Sequence, residues 1–250
     1  MWRVEDFQAR LELPELSGTI NLLSPAAGLS QLTVLGSGLA ADILQVSRPL
    51  DNSEAAQSPV EHYVRGGDLV ASYRETGSWP FRAQIYWRTD SHHSPGESPN
   101  VLAAVELVAS LQTQLLDSQA RLCVQSKLRA AEVFRLRDVA SARFDRCDPG
   151  FIRSVKITQA PACFLLRLDN QVSYGEMVHP LDFKESELVF ESTGSARSAS
   201  LRHDLFAARL EKGVILRARV LGVFLPANGD QAALARQYEK FSDAEPPLTT

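Results

Sequence analysis

Phe81-Arg82-Ala83-Gln84-Ile85-Tyr86-Trp87-Arg88 steps between two kinds of side chain with a two-residue period. In an extended chain, residues two apart point to the same side. Phe81, Ala83, Ile85 and Trp87 are therefore expected to face a core, and Arg82, Gln84, Tyr86 and Arg88 to face outward. The rhythm recurs in Phe7, Ala9, Leu11 and Leu13, and in Val105, Leu107, Ala109 and Leu111. It returns near the end, where Val214, Leu216, Ala218 and Val220 line one face, and Ile215, Arg217, Arg219, Leu221 and Val223 the other. Antiparallel sheets wetted on one side read this way, whereas parallel strands, covered on both sides, read as continuous apolar runs. The expected fold is all-β and mainly antiparallel, a large two-sheet β-sandwich.

Punctuation between these segments is turn-like. Asp117-Ser118 separates 101–116 from 119–128 and predicts a long hairpin. Glu211-Lys212-Gly213 joins 205–210 to 214–225, with Gly213 free to take a positive φ, and Asp169-Asn170 stands between 164–168 and 171–174. Residues 101–142 contain neither Gly nor Pro and are rich in Ala, Leu, Gln and Arg, so a helix is the alternative there. One short C-terminal helix is expected after Asn228-Gly229-Asp230, where Leu234, Tyr238 and Phe241 fall on one face and Glu245-Pro246-Pro247 stops it. Stretches 48–59, 89–100 and 192–200 read as loops within one sheet protein, so a single domain over 1–250 is expected.

The chain has 250 residues and a formal net charge of −4, without the basic surplus that a general nucleic-acid or membrane-surface binder needs. No run reaches the length of apolar residues that a membrane-spanning helix requires, and the N-terminus carries no secretory pattern. Cys123, Cys147 and Cys163 are odd in number and lack a Cys-x-x-Cys spacing, which suits reduced thiols and a cytoplasmic location.

Gly36-Ser37-Gly38-Leu39-Ala40-Ala41 satisfies the glycine pattern of a dinucleotide-binding turn, but no alternation of strand and helix surrounds it. A turn between strands is the expected reading, and no cofactor is expected. Asp90-Ser91-His92-His93 offers donor types that bind metals, yet neighbouring histidines on extended backbone point apart, and no metal site is expected.

The chemistry-bearing segment is the one that opens with Trp79-Pro80. Trp79, Arg82, Gln84, Tyr86 and Arg88 combine rings, which cover the C–H face of a sugar, with forks that bond hydroxyls or carboxylates. The plainer alternative is a solvated outer face over a core of Phe81, Ile85 and Trp87. His179 with Glu176 and Asp182, and His203 with Asp204, set histidines near carboxylates and are the candidates for a general base. The expectation is a β-sandwich binding protein for a carbohydrate or similar small polyhydroxyl ligand. The alternatives are an epimerase- or lyase-like enzyme working through His179 or His203 with Glu176 or Asp204, and an intracellular scaffold.

Overall fold

A computed structural model describes residues 1–47, 58–77, 79–89, 100–150, 152–159, 161–193, 196–206 and 208–245. The first strands are β1 (Trp2–Glu5), β2 (Gln8–Glu12), β3 (Leu16–Asn21), β4 (Leu29–Val34), β5 (Ser37–Gly38), β6 (Ala41–Ser47) and β7 (Glu61–Arg65). There follow β8 (Asp68–Tyr73), β9 (Arg82–Arg88), β10 (Ala103–Gln112), β11 (Ser118–Gln119), β12 (Leu122–Arg129), β13 (Glu132–Asp138) and β14 (Arg143–Cys147). The last are β15 (Ile152–Lys156), β16 (Cys163–Arg167), β17 (Val172–Val178), β18 (Phe183–Thr193), β19 (Ala196–Leu205), β20 (Arg209–Leu210) and β21 (Leu216–Pro226), before helix α1 (Asp230–Asp243).

Among the described residues the strands form a ten-stranded sheet, β1-β2-β3-β4-β6-β12-β19-β18-β15 with β5 on β4, and a nine-stranded sheet, β14-β13-β16-β17-β21-β10-β9-β8-β7. Every pairing in both is antiparallel. One apolar cluster lies between the sheets and draws on both, from Trp2, Leu11 and Ile20 to Trp87, Leu107 and Phe224. The large two-sheet β-sandwich is as the two-residue rhythm implies, and the short C-terminal helix as the spacing of Leu234, Tyr238 and Phe241 implies.

Pairing departs from expectation in three places. Residues 101–142 are strands and not a helix, but 101–116 and 119–128 form no hairpin. β10 pairs with β9 and β21 in one sheet, while β12 pairs with β6 and β19 in the other. The segment around Asp117-Ser118 is thus a crossing between layers, tied by the short β11–β20 pair. Residues 211–213 form no hairpin either: they lead from β20, which pairs with β11, towards β21 in the nine-stranded sheet, with Gly213 at φ +85° as a turn there requires. The third departure is in 192–200, where 192–193 and 196–200 are strand in β18 and β19 and not loop, Glu191 lying opposite Ser198 and Val189 opposite Ser200. Ser198 and Ser200 share a face with Glu191 and Val189, opposite to the buried Phe190 and Ala199. Asp169-Asn170 does join a hairpin, β16 to β17. Gly36, at φ +79°, turns β4 into β5, and Ala41 begins β6 and not a helix. The expected loops at 48–57 and 90–99, the residues Asp90, Ser91, His92 and His93, and the prolines at 246–247 lie outside the described residues.

α1 decides which part of the nine-stranded sheet stays open. It packs against β16, β17 and β21 through Leu234, Tyr238 and Phe241, over Leu165, Met177, Leu221 and Val223. Gly175 permits the close approach, since a Cβ there would stand 2.2 Å from Leu234 Cδ1. The first turn is fixed by Asp230, which accepts from Arg167 at 2.8 and 3.1 Å and from Ser173 Oγ at 2.8 Å. The last turn is held by His179 Nε2 on the Ser242 carbonyl at 3.0 Å and Arg219 on that of Ala244 at 2.8 Å. The outer face over β8, β9 and β10 is left beside it.

Candidate functional site

Register places the outward side chains of β8, β9, β10 and β21 in cross-strand rows. Asp68, Arg88, Glu106 and Leu221 form one; Val70, Tyr86, Val108 and Arg219 the next; Ser72, Gln84, Ser110 and Arg217 a third; Arg82 and Gln112 lie at the rim. Directly opposed residues have Cβ atoms about 5 Å apart, so each row is a continuous strip of side chains.

The rows differ in chemistry. In the first, Arg88 Nε lies 3.3 Å from Asp68 and Nη1 3.3 Å from Glu106, so its fork is already divided between two acids. In the second, Val70, Tyr86 and Val108 make a small apolar patch, and Arg219 turns to Asp182 at 3.1 Å. In the third, Tyr86 OH donates to Gln84 Oε1 at 2.8 Å, and Gln84 Nε2 donates to Ser72 Oγ at 3.2 Å, fixing the amide. Ser110 Oγ, in the same row, is buried and makes no hydrogen bond among the described residues. A buried hydroxyl without a partner costs about 1–3 kcal/mol, which a bound polar group would relieve.

A cleft of about 220 Å³ opens over this row and the rim, lined by Ser72, Arg82, Gln84, Ser110, Gln112 and Arg217, with Ile215 at its edge. A second, roomier cleft of about 390 Å³ lies on the ten-stranded sheet and includes Asp42, Lys127, Arg129 and Glu191. Its lining holds two acids, Asp42 and Glu191, and two bases, Lys127 and Arg129, with Asp42 directly opposite Lys127, so the formal charges cancel.

Of the sequence candidates, Arg82 and Gln84 line the smaller cleft, and Tyr86 stands behind Gln84. Arg88 is on the same face, two rows away and engaged with acids. Trp79 is not on it: the indole joins the interior cluster, edge-on to Phe81 with ring centroids 5.4 Å apart. Ser72, Ser110, Gln112 and Arg217 complete the lining. Arg217 carried a signal, an arginine within an apolar strand; the serines gain meaning only from register.

The histidine candidates sort differently. His203 and Glu176 do meet, Nε2 to Oε1 at 2.8 Å, but between the sheets with both side chains at 0% exposure. Ser186 Oγ lies 2.8 Å from His203 Nδ1, and Tyr174 OH donates to Glu176 Oε2 at 2.6 Å. Ser126 Oγ donates to Glu176 as well and accepts the Leu44 N–H at 2.9 Å. Burial first, and the Glu176 charge second, push the Tyr174 phenol well above its ordinary range, so it stays a donor. Asp204 points the other way, to Arg202 at 3.2 Å, because adjacent strand residues face opposite sides. His179 has both nitrogens engaged, Nε2 on the Ser242 carbonyl and Nδ1 3.4 Å from the Leu181 amide, with Asp182 at 3.6 Å. Among the described residues, no group of three or more His, Cys, Asp or Glu side chains is placed to hold a metal ion.

No family model matches the sequence, and no curated protein matches it. In class the molecule is a large antiparallel two-sheet β-sandwich with an open face beside a C-terminal helix. Among solved structures it is similar to a candidate mutarotase, YeaD, from Salmonella typhimurium, with a TM-score of 0.58 and 9% identity over 90% of this chain and 93% of that one. It is also similar to a candidate aldose 1-epimerase from Klebsiella pneumoniae, at TM-score 0.43 and 10% identity over 97% and 87% of the two chains. The GH36 α-galactosidase AgaB from Geobacillus stearothermophilus gives 0.47 and 10%, over 92% of this chain and 42% of that one. The first of these likenesses shows a shared fold.

Proposed function

We propose that this is a binding protein whose outer face over β8, β9, β10 and β21 takes a carbohydrate or similar polyhydroxyl ligand. One observation carries it: a buried Ser110 hydroxyl, without a partner among the described residues, in the floor of a polar cleft. Around it, Gln84 is held rigid by Tyr86, and Ser72, Gln112 and Arg82 add hydrogen-bonding groups. The cleft shares with small-ligand sites a concave shape and convergent polar groups, though it is smaller and more polar than most. The mutarotase-like fold makes sugars the first class to test; that is analogy from fold.

Binding is favoured over turnover because the histidines have other employment. The Glu176–His203 pair is enclosed, and His179 is committed to the end of α1. The single domain over 1–250 belongs to the same proposal, since one apolar cluster runs from Trp2 to Phe224. So does a cytoplasmic location, for which the free cysteines Cys123, Cys147 and Cys163 speak. Among the described residues, no helix is long and apolar enough to cross a membrane.

The test is saturation-transfer NMR with a panel of D-glucose, D-galactose, D-mannose and the corresponding uronic acids. The wild type is expected to transfer signal to at least one sugar, and Ser110→Val to weaken it by about tenfold, the scale of one lost hydrogen bond. Full retention of binding in Ser110→Val, or no transfer to any member, contradicts the proposal.

A further inference from the structure

We infer that the ligand is a sugar acid, a polyhydroxyl compound whose carboxylate is seated against Arg82 in the cleft. This rests on the carbohydrate reading of the same face. Three observations lead to it. The cleft lining contains two arginines, Arg82 and Arg217, and no Asp or Glu. The neighbouring arginines of this face are spent on acids of the protein itself, Arg88 on Asp68 and Glu106 and Arg219 on Asp182, whereas Arg82 makes no ion pair or hydrogen bond among the described residues. Third, with the donor-only Arg82 fork in it and no carboxylate, the lining is weighted toward donation. Tyr86 takes one lone pair of Gln84 Oε1, while the Ser110 and Ser72 hydroxyls and the second Gln84 N–H are all able to donate.

A neutral sugar hydroxyl both gives and accepts, and it would leave such a donor-rich lining partly unsatisfied. A carboxylate only accepts. Its two coplanar oxygens match the planar guanidinium fork, and its single charge matches that of Arg82, which has no partner among the described residues. The Ser110 hydroxyl, one strand away from Gln84 and buried, then donates into the ligand from below.

The experiment is isothermal titration calorimetry with three sugar and uronate pairs: D-glucose with D-glucuronate, D-galactose with D-galacturonate, and D-mannose with D-mannuronate. D-glucose 6-phosphate is added as a dianionic probe. At about 20 mM NaCl at least one uronate is expected to bind about tenfold more tightly than its neutral partner, and about 300 mM NaCl to reduce that advantage. Arg82→Gln is expected to bring each pair within about twofold, and Arg82→Lys to lie between, since the charge remains and the fork is gone. Arg82 is exposed and bonds to nothing described, so the melting temperature should move by no more than about 1 °C. Equal affinity for acid and neutral sugars, or an acid preference that survives Arg82→Gln, overturns the inference. So does tighter binding of the sugar phosphate than of every uronate. If neutral sugars still bind and Ser110→Val still weakens them, the carbohydrate reading stands without the acid; if no sugar of either kind binds, both fall.

Discussion

Arg82 and Arg88 lie six positions apart on one strand and face, yet the structure gives them different work. Arg88 stands between Asp68 and Glu106 and neutralises a row that would otherwise hold two carboxylates; Glu106 is 3% exposed. Arg88→Ala is therefore expected to act on the fold, at a cost of about 2–3 kcal/mol, since Arg88 keeps some solvent and the full penalty of a buried pair is larger. For a chain of this size that lowers the melting temperature by about 5–10 °C by calorimetry. An unchanged melting temperature would return Arg88 to the ligand. Single residues were legible in the sequence as to face but not as to partner. Alternation put Arg82, Gln84, Tyr86 and Arg88 on one side, while the acids that occupy Arg88 come from β8 and β10. The same limit hid the partner of His203. Its chain neighbour Asp204 points outward, and the acid that meets it, Glu176, lies across the interior of the sandwich.

At the level of elements, the text of β9 and β2 was plain because one face is wet. β10 is harder: every position from Ala103 to Leu111 is buried, and Ala104 and Val108 fall among the outward positions, so alternation is weak and a helix is a fair alternative. Which strand pairs with which was not legible. A polar turn signal such as Asp117-Ser118 looks the same whether the chain reverses within a sheet or crosses to the other. α1 was readable from its three-four spacing, but its docking depends on Gly175, whose missing side chain makes room for Leu234. Gly175→Ala is expected to displace the helix and cost about 1–3 kcal/mol, the usual range for overfilling a packed contact. Thermal melts would register this, with α1 amides exchanging faster than those of β10; unaltered exchange in α1 would show that Leu234 simply moves aside.

Across the whole molecule, the two outer faces are unequal. The cleft on the ten-stranded sheet is lined by two acids and two bases, and the nine-stranded sheet is half covered by α1, with the other half a polar cleft beside the helix. Between them the Glu176–His203–Tyr174–Ser126–Ser186 network ties β17 to β12, β18 and β19 without reaching solvent. Such a network is costly to bury unless every member is satisfied, and here its hydrogen bonds run from one sheet to the other. The proposed ligand face is the open half of the nine-stranded sheet. The most direct measurement is a ¹H–¹⁵N NMR titration of the full chain with D-glucuronate or whichever uronate binds most tightly. Shifts gathered at Ser72, Gln84, Ser110, Gln112 and Arg217, with β18 and β19 unmoved, are the expected result. Shifts gathered instead at Lys127, Glu191 and Ser198 would put the ligand on the wrong sheet and contradict the assignment of the binding face.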